Sequence, residues 1–253
     1  MTDGVAEISL AALALAFLPA AVVIAVLYRW STVGRETLYA FGRMLLQLTV
    51  IGYVLVYIFD ASHPGIVLAV LAFMMLVASW IALRTSNLPR AQLYPRALAA
   101  ILVGGGSVLL LVTQGVLSLE PAFEPRYVIP LAGMIFASSM NSISLAAERF
   151  EAEARRGGDY QAARGTALRA SLIPITNSLF AVGLVSLPGM MTGQILSGVS
   201  PLVAARYQIM VMCMMFASAG LSASLFLLLM KSRLGLLKPA AEEQRPGDAG
   251  PPA

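Results

Sequence analysis

Asn141 is the residue in this chain that most needs a chemical reason. It lies in YVIPLAGMIFASSMNSISLAA, residues 127–147, where Met134, Ser138, Asn141 and Ser142 recur at i, i+4, i+7 and i+8 and so share one helical face. An amide, two hydroxyls and a thioether offer hydrogen bonds and soft contacts, but no acid, base or activated nucleophile. Such a stripe turns toward a partner helix or a pathway, and the small residues Gly133, Ala137, Ser138 and Ser144 equally suit close helix packing. Further along, ASLIPITNSLFAVG places Pro174 before Thr176 and Asn177, removing one helix hydrogen bond beside two polar side chains. Then LVSLPGMMTGQILSGVSP, residues 184–201, breaks an apolar run. Pro188, Gly189 and Gly193 are expected to form a hinge there, as Pro174 does before them. Met190, Met191, Thr192 and Gln194 are expected to face a pathway or a dimer seam, because non-helical backbone at membrane depth is tolerated only against protein or water. An ordinary tight loop is the competing reading of Pro-Gly.

These residues need a membrane scaffold to hold them. The 253 residues are 58% hydrophobic and 12% charged, which excludes an ordinary soluble domain. A hydrocarbon core of about 30 Å takes about 20 apolar residues in a helix. About seven runs approach that length, near residues 8–28, 38–59, 64–83, 97–118, 127–147, 170–187 and 209–230. The expected fold is therefore an all-α integral membrane protein with a broken sixth helix and a re-entrant loop after it. Residues 1–237 would form the membrane domain, and the Pro- and Gly-rich 238–253 a disordered tail. The acidic start MTDGVAEISL lacks the basic flank of a cleaved signal, so the first run reads as a retained span.

Orientation follows from the arginines. With the N-terminus outside and the C-terminus inside, nearly all basic residues fall in inner segments, and only Arg126 and Arg206 are outer. The net charge of +4 is thus explained by topology rather than by a nucleic-acid partner. The inner connector, residues 148–169, alternates charge and alanine and suits short surface helices broken at Gly157-Gly158. Arg43 and Gln47 share a face of the second span, where Arg43 either snorkels to headgroups or serves an inner contact.

Several chemistries are excluded. The last span has no lysine for a Schiff base, and the one histidine, His63, lies in a connector rather than beside a membrane serine. HExxH and GxxxxGK[ST] are both missing, and Gly104-Gly105-Gly106 lacks the lysine of a phosphate loop, so it reads as a packing or kink feature. Met210, Met212, Met214 and Met215 wrap around their helix instead of converging, and Cys213 reads as a small buried hydrophobe. No metal site is assigned.

Three stretches say more: GRMLLQLTVIGYVLVYIF (42–59), IPLAGMIFASSMNSISLAAERF (129–150) and ALRASLIPITNSLFAVGLVSLPGMMTGQILSGVSPLVAARYQIMVM (167–212). Together they resemble the membrane subunit of the iron-export ABC transporter family, which includes plant aluminium-tolerance permeases. The resemblance implies a multi-pass permease of the cytoplasmic (inner) membrane that is not itself an enzyme. It implies a homodimer paired with separate ATP-binding subunits, which carry the ATP and Mg, and export of iron, another metal or a small substrate. Arg43, Arg155, Arg156, Arg164 and Arg169 are the candidate contacts to that ATPase. The inner loop is shorter than in similar sequences, and GGDYQAARGTALR replaces their docking stretch. The alternatives are a non-metal cargo, or a seven-span structural or receptor-like protein with no energising partner.

Overall fold

The computed structural model describes residues 8–60 and 63–232, and the regular elements among them are helices. The tail expectation for 238–253 lies outside the described residues. The first span is split at Ala16 into α1 (Leu10–Leu15) and α2 (Phe17–Trp30). Next come α3 (Gly34–Asp60) and α4 (Pro64–Ala82), the latter opening on a proline whose missing N–H is harmless in a first turn. A continuous helical stretch over 90–116 comprises α5 (Arg90–Ala100), a π-helical turn Ile101–Gly105, α6 (Gly106–Leu110) and a second π-helical turn Leu111–Val116. The remaining helices are α7 (Pro125–Arg155), α8 (Tyr160–Ala181), the short α9 (Gly189–Leu196) and α10 (Pro201–Leu229).

Six helical segments among the described residues are long and apolar enough to cross a bilayer: 11–30, 34–55, 64–82, 90–116, 125–155 and 201–229. The run near 170–187 differs from its expected form. Its helix begins ten residues earlier, at Tyr160, and stops at Ala181 instead of Leu187. The stop has a local cause. The Ala181 carbonyl accepts from the N–H of Val185 at 2.8 Å, and the Gly183 N–H donates to Ser186 O at 2.9 Å, closing a tight turn around Gly183 at φ 81°.

The connector 148–169 is helical and broken at Gly157-Gly158 as expected, but its helices are not short. Instead of separate surface helices, α7 runs unbroken to Arg155 and α8 starts at Tyr160, so two long rods meet in a short corner. Gly157, at φ 83°, lets the chain reverse, and Gly158 N–H caps Glu153 O at 3.2 Å. Asp159 then caps α8, its Oδ1 accepting from Ala162 N–H at 2.7 Å.

The core lies among α4, the 90–116 helix, α7, α8 and α10, where Phe150, Phe226, Ile135, Ile143 and Leu227 are fully buried. Small residues bring these helices close. A Cβ placed on Gly104 would stand 2.7 Å from the Ser222 backbone nitrogen, so only glycine fits there. The triple glycine is therefore a packing feature, as expected. By contrast α2 buries no residue, and α3 carries exposed Tyr39 at one end and Tyr53 and Tyr57 at the other, the places where amphipathic rings meet membrane interfaces.

Contacts also gather the arginine-rich ends of the helices on one side. Arg96 Nε donates to Leu229 O at 3.1 Å, Tyr160 OH to Leu227 O at 3.1 Å, and Thr85 Oγ1 to Ser144 O at 3.2 Å.

Candidate functional site

The polar stripe of α7 faces a cavity. A space of about 340 Å³ lies between α7, α8 and α10, and Met134, Ser138, Asn141 and Ser142 all line it, opposite Ser171, Pro174 and Ser178 of α8 and Met215 of α10. No charged side chain lines this space. Most of its hydroxyl protons are committed to backbone carbonyls: Ser138 to Met215 O at 3.0 Å, Ser142 to Ser171 O at 3.4 Å, Ser171 to Leu168 O at 2.8 Å and Ser178 to Pro174 O at 3.0 Å. Asn141 differs. It is exposed to the cavity and has no hydrogen-bond partner among the described residues, so its amide can both donate and accept toward a ligand.

The face of α8 is rotated from the expected one. Pro174 lines the cavity, but Thr176 is only half-buried and Asn177 is exposed, both off the lining, which instead takes Ser171, Pro174, Ile175 and Ser178 at helical spacing. Helix α8 also runs on through Pro174, so the hinge expected there is not a break in the helix. The break falls at residues 182–188.

A second, largely apolar space of about 270 Å³ sits at the end opposite the arginines. Met134 reaches it as well, joined by Met190 of α9, Met210 and Tyr207 of α10, and Tyr127 and Arg126 at the start of α7. Thioethers from three helices thus line this second space, and Met134 alone lines both. Met191, Thr192 and Gln194 line neither space. Met191 is half-buried, the Thr192 hydroxyl donates to Pro188 O at 3.2 Å, and Gln194 holds a buried Oε1 without a partner among the described residues.

Gly189 and Gly193, expected at a hinge, carry no special backbone angle in this structure. Both are ordinary helical residues of α9 with open space where a Cβ would go, and Pro188 serves as the N-cap position of that helix. The left-handed backbone angles belong to Gly183, at φ 81°, and Gly198, at φ 87°, which flank α9 on either side.

At the arginine-rich end, Arg155 and Arg169 are exposed and unpaired among the described residues, and Arg156 is held 3.4 Å from Glu153. Arg164 donates to Gln161 Oε1 at 2.9 Å and lies 5.4 Å from the Tyr160 ring centre. Arg43 is far from this corner, in a cleft between α3 and α4. Among the described residues no three His, Cys, Asp or Glu side chains come together as a metal site.

The profile of UPF0014, an uncharacterised protein family, matches residues 8–234. The chain belongs to the UPF0014 family. A UPF0014 membrane protein of Synechocystis is 38% identical over 207 residues, spanning 74% of this chain and 78% of that protein. The probable iron export permease protein FetB of Escherichia coli is 35% identical over 203 residues, 74% of this chain and 77% of its own length. The protein ALUMINUM SENSITIVE 3 of Arabidopsis thaliana is 36% identical over 205 residues, with 74% and 72% covered. No solved structure matches the chain. UPF0014 membership and the apolar helices make this a multi-pass membrane protein.

One residue of this UPF0014 chain has an importance that spacing alone did not reveal. Glu151 on α7 is 1% exposed and accepts from the Asn87 backbone N–H at 2.9 Å and from the Ser86 hydroxyl, pinning the turn between α4 and α5 to the end of α7. The missed signal was the first of the two acids of EAEA, whose period places it on the buried face with Ala147 and Ala154.

Proposed function

We propose that this UPF0014 membrane permease is the transmembrane subunit of an ATP-driven ABC exporter, energised by a separate ATP-binding subunit and working as a homodimer. One observation carries the reading. The two walls of the Asn141 cavity, α7 and α8, are the same two helices that meet end to end in the Arg155–Asp159 corner. Force applied there by a partner reaches the cavity through rigid helix.

The chain performs no covalent chemistry in this reading. ATP and Mg act on the partner, whose binding biases the permease between two conformations that expose the cavity alternately to each side. The Asn141 amide and the thioethers of Met134, Met190 and Met210 would contact the cargo in turn. Its identity is proposed as iron or another metal, in line with the name carried by the Escherichia coli relative. The orientation proposed is N-terminus out and C-terminus in, which sets the arginine-rich corner in the cytoplasm where ATP is found.

The test is to purify the permease with a compact Walker-motif ATPase in nanodiscs and to measure ATP hydrolysis across a panel of metal ions and small organic compounds. A stable complex whose hydrolysis rises with a metal supports the proposal. A permease that binds no ATPase would return the non-energised receptor reading, and stimulation by organic compounds alone would replace the cargo.

A further inference from the structure

Arg43 is left out of the pathway just described, and its surroundings give it a different use. It projects from α3 nine residues after Gly34, about 14 Å along the helix. A cleft of about 530 Å³ opens there between α3 and the end of α4, and Glu36, Tyr39, Arg43, Gln47 and Arg84 line it. The one acid among them is already paired, with Arg84 Nη1 on Glu36 Oε1 at 2.5 Å. Thr37 spends its hydroxyl proton on Val33 O at 3.0 Å. Arg43 has neither an ion pair nor a hydrogen bond among the described residues, so the cleft holds one uncompensated positive charge.

A guanidinium at that depth is costly unless something neutralises it. Beyond the paired Glu36 the cleft can present three groups that donate: the Arg43 fork, the Gln47 amide one turn deeper and the Tyr39 hydroxyl. An anionic, tetrahedral oxygen-rich group satisfies them, and guanidinium forks match phosphate oxygens two at a time. The position identifies the carrier. Exposed Tyr28, Trp30 and Tyr39 mark this end as an interface, and among the described residues α2 and the 34–55 part of α3 bury next to nothing, so the cleft opens sideways where headgroups lie. We propose that the cleft between α3 and α4 is a binding site for the phosphate headgroup of an anionic membrane lipid, with Arg43 as its anchor. The remaining volume accommodates a glycerol headgroup, and the acyl chains run down the exposed apolar face of α3.

The site is independent of any ATPase, and it is testable on the purified full-length permease. Delipidated protein is titrated with phosphatidylglycerol, phosphatidylcholine or inorganic phosphate, while retained lipid is counted by native mass spectrometry and thermal stability is recorded. Phosphatidylglycerol should bind in preference to phosphatidylcholine and raise the melting temperature. Arg43→Gln should weaken that binding about tenfold or more, and Arg43→Lys, which keeps the charge without the fork, by less. If Arg43→Gln does not yield folded protein, the wild-type comparison still decides. Equal retention of the two lipids, undiminished retention in a folded Arg43→Gln, or protection by inorganic phosphate as strong as by phosphatidylglycerol would each overturn the proposal.

Discussion

Ser222 donates its hydroxyl to that of Ser139, 3.0 Å away across α10 and α7, and Ser139 in turn donates to Ser218 O at 3.3 Å. The 90–116 helix passes over this pair on bare backbone, because a Cβ on Gly104 would sit 2.7 Å from Ser222 and one on Gly105 would sit 3.2 Å from Ser139 Oγ.

Gly104→Ala should therefore destabilise the protein by about 1–3 kcal/mol, the usual cost of overpacking a filled core. Gly106→Ala is the control, since its nearest neighbour would be Leu102 Cδ1 at 3.9 Å. Thermal unfolding of the two variants in detergent reads the difference. Equal melting temperatures would show that the close approach is not tight.

Asn141→Leu should reduce transport about tenfold or more, because it removes the cavity amide with its donors and acceptor. Complex formation with the ATPase should persist. Asn177→Leu, off the cavity face, should transport normally. Flux assays in proteoliposomes compare the pair, and matching losses would move the site away from α7.

Gly183 holds a left-handed conformation that a side chain reaches at a cost of about 1–2 kcal/mol. Gly183→Ala should lower stability or transport, whereas Gly189→Ala and Gly193→Ala sit in helix with open space and should be neutral or stabilising by up to about 1 kcal/mol. Loss of function in the α9 variants alone would reverse the assignment.

Charge reversal tests the corner. Arg155→Glu with Arg169→Glu should lose ATPase co-purification while the permease still inserts, as both side chains are exposed and neither holds another element. Retained coupling would point to the turn that Glu151 pins, with Arg84 and Arg90 beside it.

Labelling settles the orientation. In a cysteine-free background, a cysteine replacing Glu120 should react with a membrane-impermeant reagent from outside, and one replacing Arg156 should not. The opposite pattern inverts the topology.

Much of the scaffold was legible because apolar run length is a strong signal. The stripe of α7 was legible too, since Met134, Ser138, Asn141 and Ser142 repeat with helical period inside an apolar context. The face of α8 was not. Its polar residues are distributed around the helix, and only packing against α7 shows that Ser171 and Ser178, not Thr176 and Asn177, turn inward. Proline and glycine misled in the same stretch for a related reason. Pro188 and Gly189 suit a helix start as well as a break, and the choice is made by Gly183, a single glycine in an apolar run with nothing local to mark it.

The serine knot has a mechanical meaning. In the proposed transport cycle a tilt of α7 about Ser139 would act as an unequal lever, with Arg155 about 24 Å from the fulcrum on one arm and Met134 about 7 Å away on the other. Tilting it moves the two ends in opposite directions, with the long arm's travel reduced about threefold at the short one. A partner pulling several ångströms at the corner would shift the shared methionine of the two cavities by only one or two, and in the reverse sense. In that cycle the gearing would convert a coarse stroke at the corner into a fine one at the cavities.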